Sequence, residues 1–371
     1  MIPMTKRERV MRTVRFEETD RVPLYDIFQN DAIIEHYAGR KLTYEDGAHT
    51  VALAVGRALD MTRMVGAPQP ASEFVRSDGI RFRQERWTGW LVERPFRDFP
   101  SLRPWIGERI REANAQTFDS AYAETTWQRV ETNWAAFAES DPTGRHDPAV
   151  LVLESGVGLD GMYWITGMDL FTELMFEDPG LLEEWLEALT AAELRRVAAI
   201  ADPKHIPISL TYSDIAHKTG TLFSPDWLRR YWVPRLKRLN DAWHARDTVC
   251  LFHSDGNLWA VLDDLIAAGI DGLNPLEVLA GMTVRAVREK YPRLFLAGGI
   301  DVSQLLTYGT PEEVSATCRQ AIEDTRGIGY FMGSSTELHW DVRLENAIAM
   351  FETAWKHGMR NEGYFIGKMA R

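Results

Sequence analysis

A histidine and an aspartate stand two positions apart in residues 252–257, whose sequence is FHSDGN. The preceding residues, 248–252, form a short apolar run, so His253 is predicted to end a buried strand. Residues two apart in an extended chain point to the same side, so His253 and Asp255 can face one ligand. The pair suits a divalent metal with nitrogen and oxygen ligands. It also suits a proton relay, or a structural role in which His253 bonds across the fold and Asp255 caps a helix.

Polar residues follow other apolar runs at the same kind of position. One such residue alone is often only a turn former or a helix cap, but the repeated placement favours a shared site. The predicted catalytic residues are Asp214, His253 and Glu154. The predicted metal ligands are His253, Asp255, Glu277 and His339. The predicted substrate-binding residues at these positions are Asp26, Asn257, Asn274, Asp301 and Ser334.

The elements that must position these residues are short apolar runs alternating with helical patterns. The runs cover residues 22–25, 148–153, 206–212, 248–252, 271–273, 294–297 and 328–332, with an eighth expected near 58–61. Near-continuous apolar strands between helices indicate parallel strands that are buried on both faces. The pattern therefore predicts an α/β fold, a single (β/α)8 TIM barrel formed by residues 1–371 as one domain. In such a barrel the active site forms where the carboxyl ends of the strands meet.

Two other local patterns refine this prediction. Ser224-Pro225, Thr310-Pro311 and Asp178-Pro179 each place a capping side chain before a proline, which is typical of a helix N-terminus. In residues 79–96, apolar and polar residues alternate, which predicts a small β-hairpin inserted in an early connection between strand and helix.

The composition limits the classes of function. The chain has 371 residues, 54 acidic and 42 basic, with a formal net charge of −12. Nucleic-acid binding is not expected, because it needs a basic face to neutralise phosphates. No apolar run has the length of a membrane span and the N-terminus does not resemble a signal peptide. The two cysteines, Cys250 and Cys318, exclude a disulfide framework and fit a cytoplasmic protein.

At these motifs the chain resembles the uroporphyrinogen decarboxylase (URO-D) superfamily. The likeness extends over nearly the whole chain and is strongest from about residue 206 onward. The matching stretches are residues 20–23, 213–214, 218–225, 252–257, 269–277, 298–301 and 329–335, followed by Glu337 and His339. The resemblance implies a (β/α)8 barrel with one of two chemistries.

One branch of the superfamily decarboxylates uroporphyrinogen without a cofactor. It holds the substrate carboxylates with arginines in an N-terminal segment and the pyrroles with an early aspartate. By this resemblance Asp60 is assigned as a substrate-binding residue. The matching N-terminal segment here, residues 24–30, contains no arginine. Since carboxylates need cationic partners, this difference argues against uroporphyrinogen itself as the substrate.

The other branch transfers methyl groups between small substrates, corrinoid proteins and thiols. Its members bind zinc through a His-x-Cys motif and a later cysteine, sometimes with a glutamate between them. By this resemblance His253 matches the histidine, Asp255 stands where the first cysteine would be, and Glu277 lies near the glutamate. Neither cysteine of this chain falls at residues 333–335, where the later one is expected. An oxygen-rich site suits a Lewis acid acting on an oxygen-bearing substrate better than one that activates a thiol.

Three hypotheses follow. The first is a zinc-dependent methyltransferase or O-demethylase, closer to the corrinoid-linked branch, which passes a methyl group to a corrinoid on a partner protein. The second is a cofactor-free decarboxylase acting on a carboxylated substrate smaller than uroporphyrinogen. The third is a non-catalytic barrel that binds a small molecule. The sequence leaves a homodimer possible and does not identify the substrate.

Overall fold

The computed structural model describes residues 4–63 and 65–357. Within these ranges the strands are β1 (Met61–Thr62), β2 (Ser72–Val75), β3 (Arg81–Gln84), β4 (Gly89–Glu93), β5 (Val150–Leu151), β6 (Leu153–Ser155), β7 (Ile208–Tyr212), β8 (Ala216–His217), β9 (Gly220–Thr221), β10 (Val249–His253), β11 (Gly272–Asn274), β12 (Phe295–Ala297) and β13 (Tyr330–Phe331). The helices are α1 (Lys6–Val14), α2 (Asp31–Ala38), α3 (Gly47–Ala58), α4 (Phe99–Ala115), α5 (Ser120–Glu139), α6 (Leu159–Thr166), α7 (Met168–Glu177), α8 (Pro179–Ile200), α9 (Pro225–Tyr231), α10 (Val233–His244), α11 (Leu262–Ala267), α12 (Val284–Lys290), α13 (Leu305–Tyr308), α14 (Pro311–Thr325) and α15 (Leu344–His357), with a 3-10 helix at Val278–Ala280.

Parallel strands form the centre of the fold. Six of them pair in the order β6, β7, β10, β11, β12, β13, and β1 pairs with β5 in the same sense. Parallel bridges also join Leu24 to Met332 and Tyr25 to Met61. The result is an α/β fold whose parallel strands follow one another as in a (β/α)8 barrel. The expected strand near 58–61 begins later, at Met61, because α3 continues to Ala58.

Two apolar cores lie on the two sides of these strands. The smaller core contains Leu251, and the larger core, between strands and helices, contains its neighbours Cys250 and Phe252. Alternate side chains of a strand point to opposite faces, so His253 continues on the side of Leu251. This alternation brings His253 to the end of the inner core.

The predicted helix starts are present. The side chain of Thr310 accepts a hydrogen bond from Glu313 N and forms a capping box at α14. Ser224 and Asp178 likewise cap α9 and α8, each with a proline in the first turn. These caps satisfy backbone N–H groups that have no partner inside the helix.

An antiparallel sheet lies between β1 and α4. Strands β3 and β4 pair within the range of the predicted hairpin, and β2 adds a third strand that was not predicted. All four residues of β2 are exposed, so its sequence lacks the alternation that identifies a half-buried strand. No helix in the described ranges is long and apolar enough to cross a membrane.

Candidate metal centre at the carboxyl ends of the strands

Three side chains converge at the end of β10. Ligand atoms of Asp214, His253 and Asp255 all lie within 4.8 Å of one another. The His253 Nε2 atom is 3.8 Å from Asp214 Oδ1. The structure thus brings His253 and Asp255, two of the predicted metal ligands, together with Asp214, which was predicted as a catalytic residue.

The hydrogen bonds of Asn274 determine which nitrogen of His253 is free. The Asn274 side-chain nitrogen donates to the Ala297 carbonyl oxygen at 3.2 Å, so its amide oxygen faces His253. That oxygen is 2.9 Å from His253 Nδ1, which must therefore carry the proton and donate. The lone pair of Nε2 is then directed to the aspartates. Fixing the tautomer through the other ring nitrogen is the usual support of a histidine that binds a metal.

The electrostatics of the three groups also suit a cation. Burial, with the charge of Arg63, lowers the pKa of His253 to about 3, so its imidazole is neutral at neutral pH. Burial, with the neighbouring charges of Asp214 and Glu277, raises the pKa of Asp255 to about 7. Burial also raises the pKa of Asp214. A neutral histidine beside two carboxyl groups is better suited to bind a metal than to act as a proton relay.

The donor set fits a metal such as zinc. Asp255 Oδ1 is buried and has no hydrogen-bond partner, which is costly unless a ligand compensates it. Together with His253 Nε2 and an oxygen of Asp214, it gives three protein ligands, the number usual for catalytic zinc sites. Neither Cys250 nor Cys318 belongs to this group.

The other two predicted metal ligands do not join the group. The carboxylate of Glu277 accepts a hydrogen bond from Gly256 N at 2.8 Å, and so holds the loop after β10. The Nδ1 atom of His339 accepts a hydrogen bond from Asp341 N at 3.2 Å. Of the four predicted ligands, the structure thus groups His253 and Asp255, and it adds Asp214 to them.

Two predicted substrate-binding residues instead contact each other. Asp26 Oδ2 accepts a hydrogen bond from Ser334 N, and Oδ1 accepts one from Ser334 Oγ, both at 2.8 Å. Asp26 Oδ1 also accepts from Ile27 N at 2.9 Å. Burial nevertheless raises the pKa of Asp26 to about 7. The pair connects the segment after the bridge residues Leu24 and Tyr25, near the start of the chain, with the segment after β13.

Three more predicted substrate contacts support neighbouring structure. Asn274 orients His253, as described above. The Asn257 side chain donates to the Ala280 carbonyl oxygen and so ties the loop after β10 to the 3-10 helix. Asp301 accepts from Gln304 N and Leu305 N at 2.9 Å and so holds the turn that leads into α13. Their hydrogen bonds are to protein, because turn and cap positions supply nearby donors and acceptors.

Asp60 lies away from the group, before β1 rather than after it. Its buried carboxylate accepts hydrogen bonds from Arg9, Arg21 and Leu24 N at 2.7–2.8 Å. Burial alone would raise its pKa, but the charges of Arg21 and Arg9 hold it at about 2. Asp60, which was predicted to bind substrate, thus balances two arginines at the amino ends of the strands, away from the candidate metal centre.

A second group of potential ligands also lies at the amino ends. Atoms of His244, Cys250 and Asp271 are within 4.8 Å of one another. His244 Nε2 is 2.8 Å from Asp271 Oδ2, and Cys250 N donates to the same oxygen at 2.8 Å. Burial raises the pKa of the Cys250 thiol well above its usual value.

Sequence reasoning missed Arg63 and Tyr212. Arg63 directly follows β1, and Nε of its guanidinium lies 3.7 Å from Oε1 of the predicted catalytic residue Glu154. The ring of Tyr212 lies 5.6 Å from that of His253. Arg63 could have been found if β1 had been placed at Met61–Thr62, since it would then occupy a strand end.

An α/β fold with parallel strands and polar residues at their carboxyl ends is typical of barrel enzymes. The family model described as uroporphyrinogen decarboxylase (URO-D) matches residues 162–357. The chain belongs to this family, which confirms the resemblance found in the sequence.

Among solved structures, the chain is similar to a methyltransferase from Methanosarcina mazei, with a TM-score of 0.67 and 16% identity. That alignment covers 95% of this chain and 99% of the other, and it shows a shared fold. A B12-independent methionine synthase from a Shewanella species aligns with a TM-score of 0.32 and 15% identity over 62% of this chain and 67% of the other. A score that low supports no inference. No curated protein matches the chain.

Proposed function

We propose that this protein is a metal-dependent methyltransferase or O-demethylase. It would move a methyl group from a small methoxylated or methylated substrate to a corrinoid protein or a similar acceptor. The observation that carries the proposal is the group formed by Asp214, His253 and Asp255, with its free Nε2 and unpartnered Oδ1. Membership of the URO-D family and the fold shared with a methyltransferase are compatible with it.

The residues have separable roles in this proposal. His253 and Asp255 hold the metal, Asp214 completes its protein ligands, and Asn274 keeps the His253 ring in the binding tautomer. A zinc ion bound there would act as a Lewis acid on the oxygen or nitrogen that carries the methyl group. Glu154 has a side chain that is half exposed at the mouth, so it can exchange protons with solvent and give one to the leaving heteroatom.

We further propose that residues 1–371 form one cytoplasmic domain, a closed (β/α)8 barrel with the antiparallel sheet as an insertion. Residues 1–3, 64 and 358–371 lie outside the described part. The bridges of Leu24 to Met332 and Tyr25 to Met61 support closure. A single cooperative unfolding transition is expected, and two separate transitions would contradict one domain.

The proposal is tested by elemental analysis and a methyl-transfer assay. We expect about one equivalent of zinc in the wild-type protein and none in His253→Ala, with His244→Ala as the matched histidine control. With free cob(I)alamin as the acceptor, transfer from a methoxylated or methylamino compound is followed by the absorbance change of the cobalt centre. A folded, fully active protein without metal would contradict the metal-dependent mechanism.

A cofactor-free decarboxylase is the second candidate, and the Arg63 guanidinium near Glu154 favours it because a cation at the mouth can hold a carboxylate. Release of carbon dioxide without metal or corrinoid would distinguish it. A non-catalytic binding barrel is the remaining outcome. It predicts that Asp214→Asn and His253→Ala leave ligand binding unchanged and that no turnover is found.

A further inference from the structure

Arg63 is a largely buried cation at the carboxyl end of β1, and its side chain is 12% exposed. Its Nε atom is buried without a hydrogen-bond partner. The closest carboxylate oxygen, Oε1 of Glu154, lies 3.7 Å from Nε, which is too far for a hydrogen bond. Burying a guanidinium N–H without an acceptor costs free energy, so Nε calls for an acceptor that the protein does not supply.

Arg63 lies close to the candidate metal centre. Arg63 directly follows β1 beside Glu154 of β6, and His253 ends β10, which is two strands from β6 in the parallel sheet, so all three residues lie at the carboxyl ends. The charge of Arg63 is also a cause, after burial, of the lowered pKa of His253. A small molecule can therefore contact the guanidinium with one end and the group of Asp214, His253 and Asp255 with the other.

We propose that Arg63 binds a carboxylate of the substrate, as a pair of parallel N–H···O bonds. This inference rests on the proposed function and narrows it, because the methyl donor would be a small carboxylic acid that bears a methoxy or methylamino group. The carboxylate end lies at Arg63, and the methylated heteroatom faces Asp214, His253 and Asp255.

The charge around Arg63 favours a carboxylate over a phosphate. The charges of Glu154 and Glu337 act on Arg63. Two more carboxyl groups, of Asp214 and Asp255, belong to the candidate metal centre nearby. One guanidinium balances a single negative charge, whereas a dianionic phosphate would add uncompensated repulsion among these acids. The planar fork of arginine also matches the two oxygens of a carboxylate.

The test compares acids with their isosteric neutral amides. Methoxyacetate is paired with methoxyacetamide and 4-methoxybenzoate with 4-methoxybenzamide, and binding to the intact protein is measured by calorimetry. We expect at least one acid to bind about tenfold or more tightly than its amide. In Arg63→Gln this preference should fall to about one, while amide binding and zinc content stay unchanged. Arg63→Lys, which keeps the charge but loses the fork, should retain only part of the preference.

A second variant separates substrate binding from internal charge balance. If Arg63 served only to neutralise Glu154, then the double variant Arg63→Gln with Glu154→Gln would recover the wild-type preference for the acid, and the inference would fall. It also falls if wild-type protein binds acids and amides alike, or binds none of the four compounds.

The outcome is distinguishable from that of the proposed function. If the wild-type protein transfers no methyl group but prefers acids through Arg63, the proposed methyltransferase function is rejected and the carboxylate site is kept. If it transfers methyl groups but shows no preference for acids, the methyltransferase function is kept and the carboxylate site is rejected.

Discussion

Among the described residues, the two ends of the parallel strands each bring a histidine and an aspartate together, but the two groups differ in burial and in free ligand atoms. At the carboxyl ends His253 is buried, and its Nε2 is free because Nδ1 bonds to Asn274. At the amino ends His244 is exposed, and its Nε2 already contacts Asp271. The same residue types differ in whether protein groups satisfy them, and this difference identifies the candidate site.

The carboxylates show the same contrast. Asp255 keeps a buried oxygen without a partner, and its pKa is raised. Asp60, at the amino ends, has partners for both oxygens, and the charges of Arg21 and Arg9 keep its pKa at about 2 against the effect of burial. The carboxyl ends of β7 and β10 therefore hold an acidic group that can accept a cation, whereas Asp60 before β1 is held in closed ion pairs.

The largest expected effect is on stability, at Asp60. Replacing it in Asp60→Ala leaves the buried Arg9 without one of its two carboxylate partners, and we expect a loss of about 3–5 kcal/mol. Urea unfolding measures the change. Asp214→Ala is the matched control and should cost little, because it removes one of two crowded carboxylates. A comparable loss in both variants would remove the distinction between the two ends.

The next effect is on zinc binding. Asp255→Asn keeps the shape of the side chain but removes a charged ligand, and the zinc affinity should fall by at least about 100-fold, more than most outer-sphere changes. Asp271→Asn, at the other end, should leave the affinity unchanged. Competition with a chromophoric chelator measures both. If zinc binding were weakened in Asp271→Asn but not in Asp255→Asn, the metal would lie at the amino ends of the strands, and our proposal would be wrong.

A smaller loss is expected at the residue that orients the histidine. Asn274→Ala removes the acceptor for His253 Nδ1, so both ring tautomers become available, and zinc affinity should fall by about tenfold. Asn257→Ala is the control, because its amide bonds to Ala280 and Trp259 and not to the histidine. Equal zinc affinities in Asn274→Ala and the wild type would show that the tautomer does not matter.

The smallest effect distinguishes the two histidines by pH. The hydrogen bond to Asp271 raises the pKa of His244 above 6.5, so its stabilisation is complete below pH 6.5 and disappears as the pH rises through the folded-state pKa. Since this pair is exposed, the effect should stay below about 1 kcal/mol. The contribution of His253 depends on pH in the opposite direction. Because its pKa is lowered, the free energy of unfolding falls as the pH drops from 6.5 towards 3. Unfolding of His244→Gln and wild type at pH 5.5 and 9 measures the first effect, and a difference that does not change with pH would contradict it.

Local patterns in the sequence predicted much of the frame. The apolar run before His253 is β10, and Thr310 and Ser224 cap helices as expected. The range of the third strand in the antiparallel sheet was not predicted, because β2 has no buried face. The position of β1 was predicted about two residues early, and for that reason Arg63 was overlooked.

What the sequence by itself determined is the order of strands and helices and the placement of polar residues at strand ends, because both depend on periodicity and caps within a few positions. Only the tertiary structure decided which of those residues share a site. Asp26 is satisfied by Ser334, 308 positions away, whereas Asp255 Oδ1 remains without a partner. Hydrogen-bond partners, burial and local charge depend on contacts between distant segments, and these determine whether a carboxylate closes a turn, balances an arginine or stays free for a ligand.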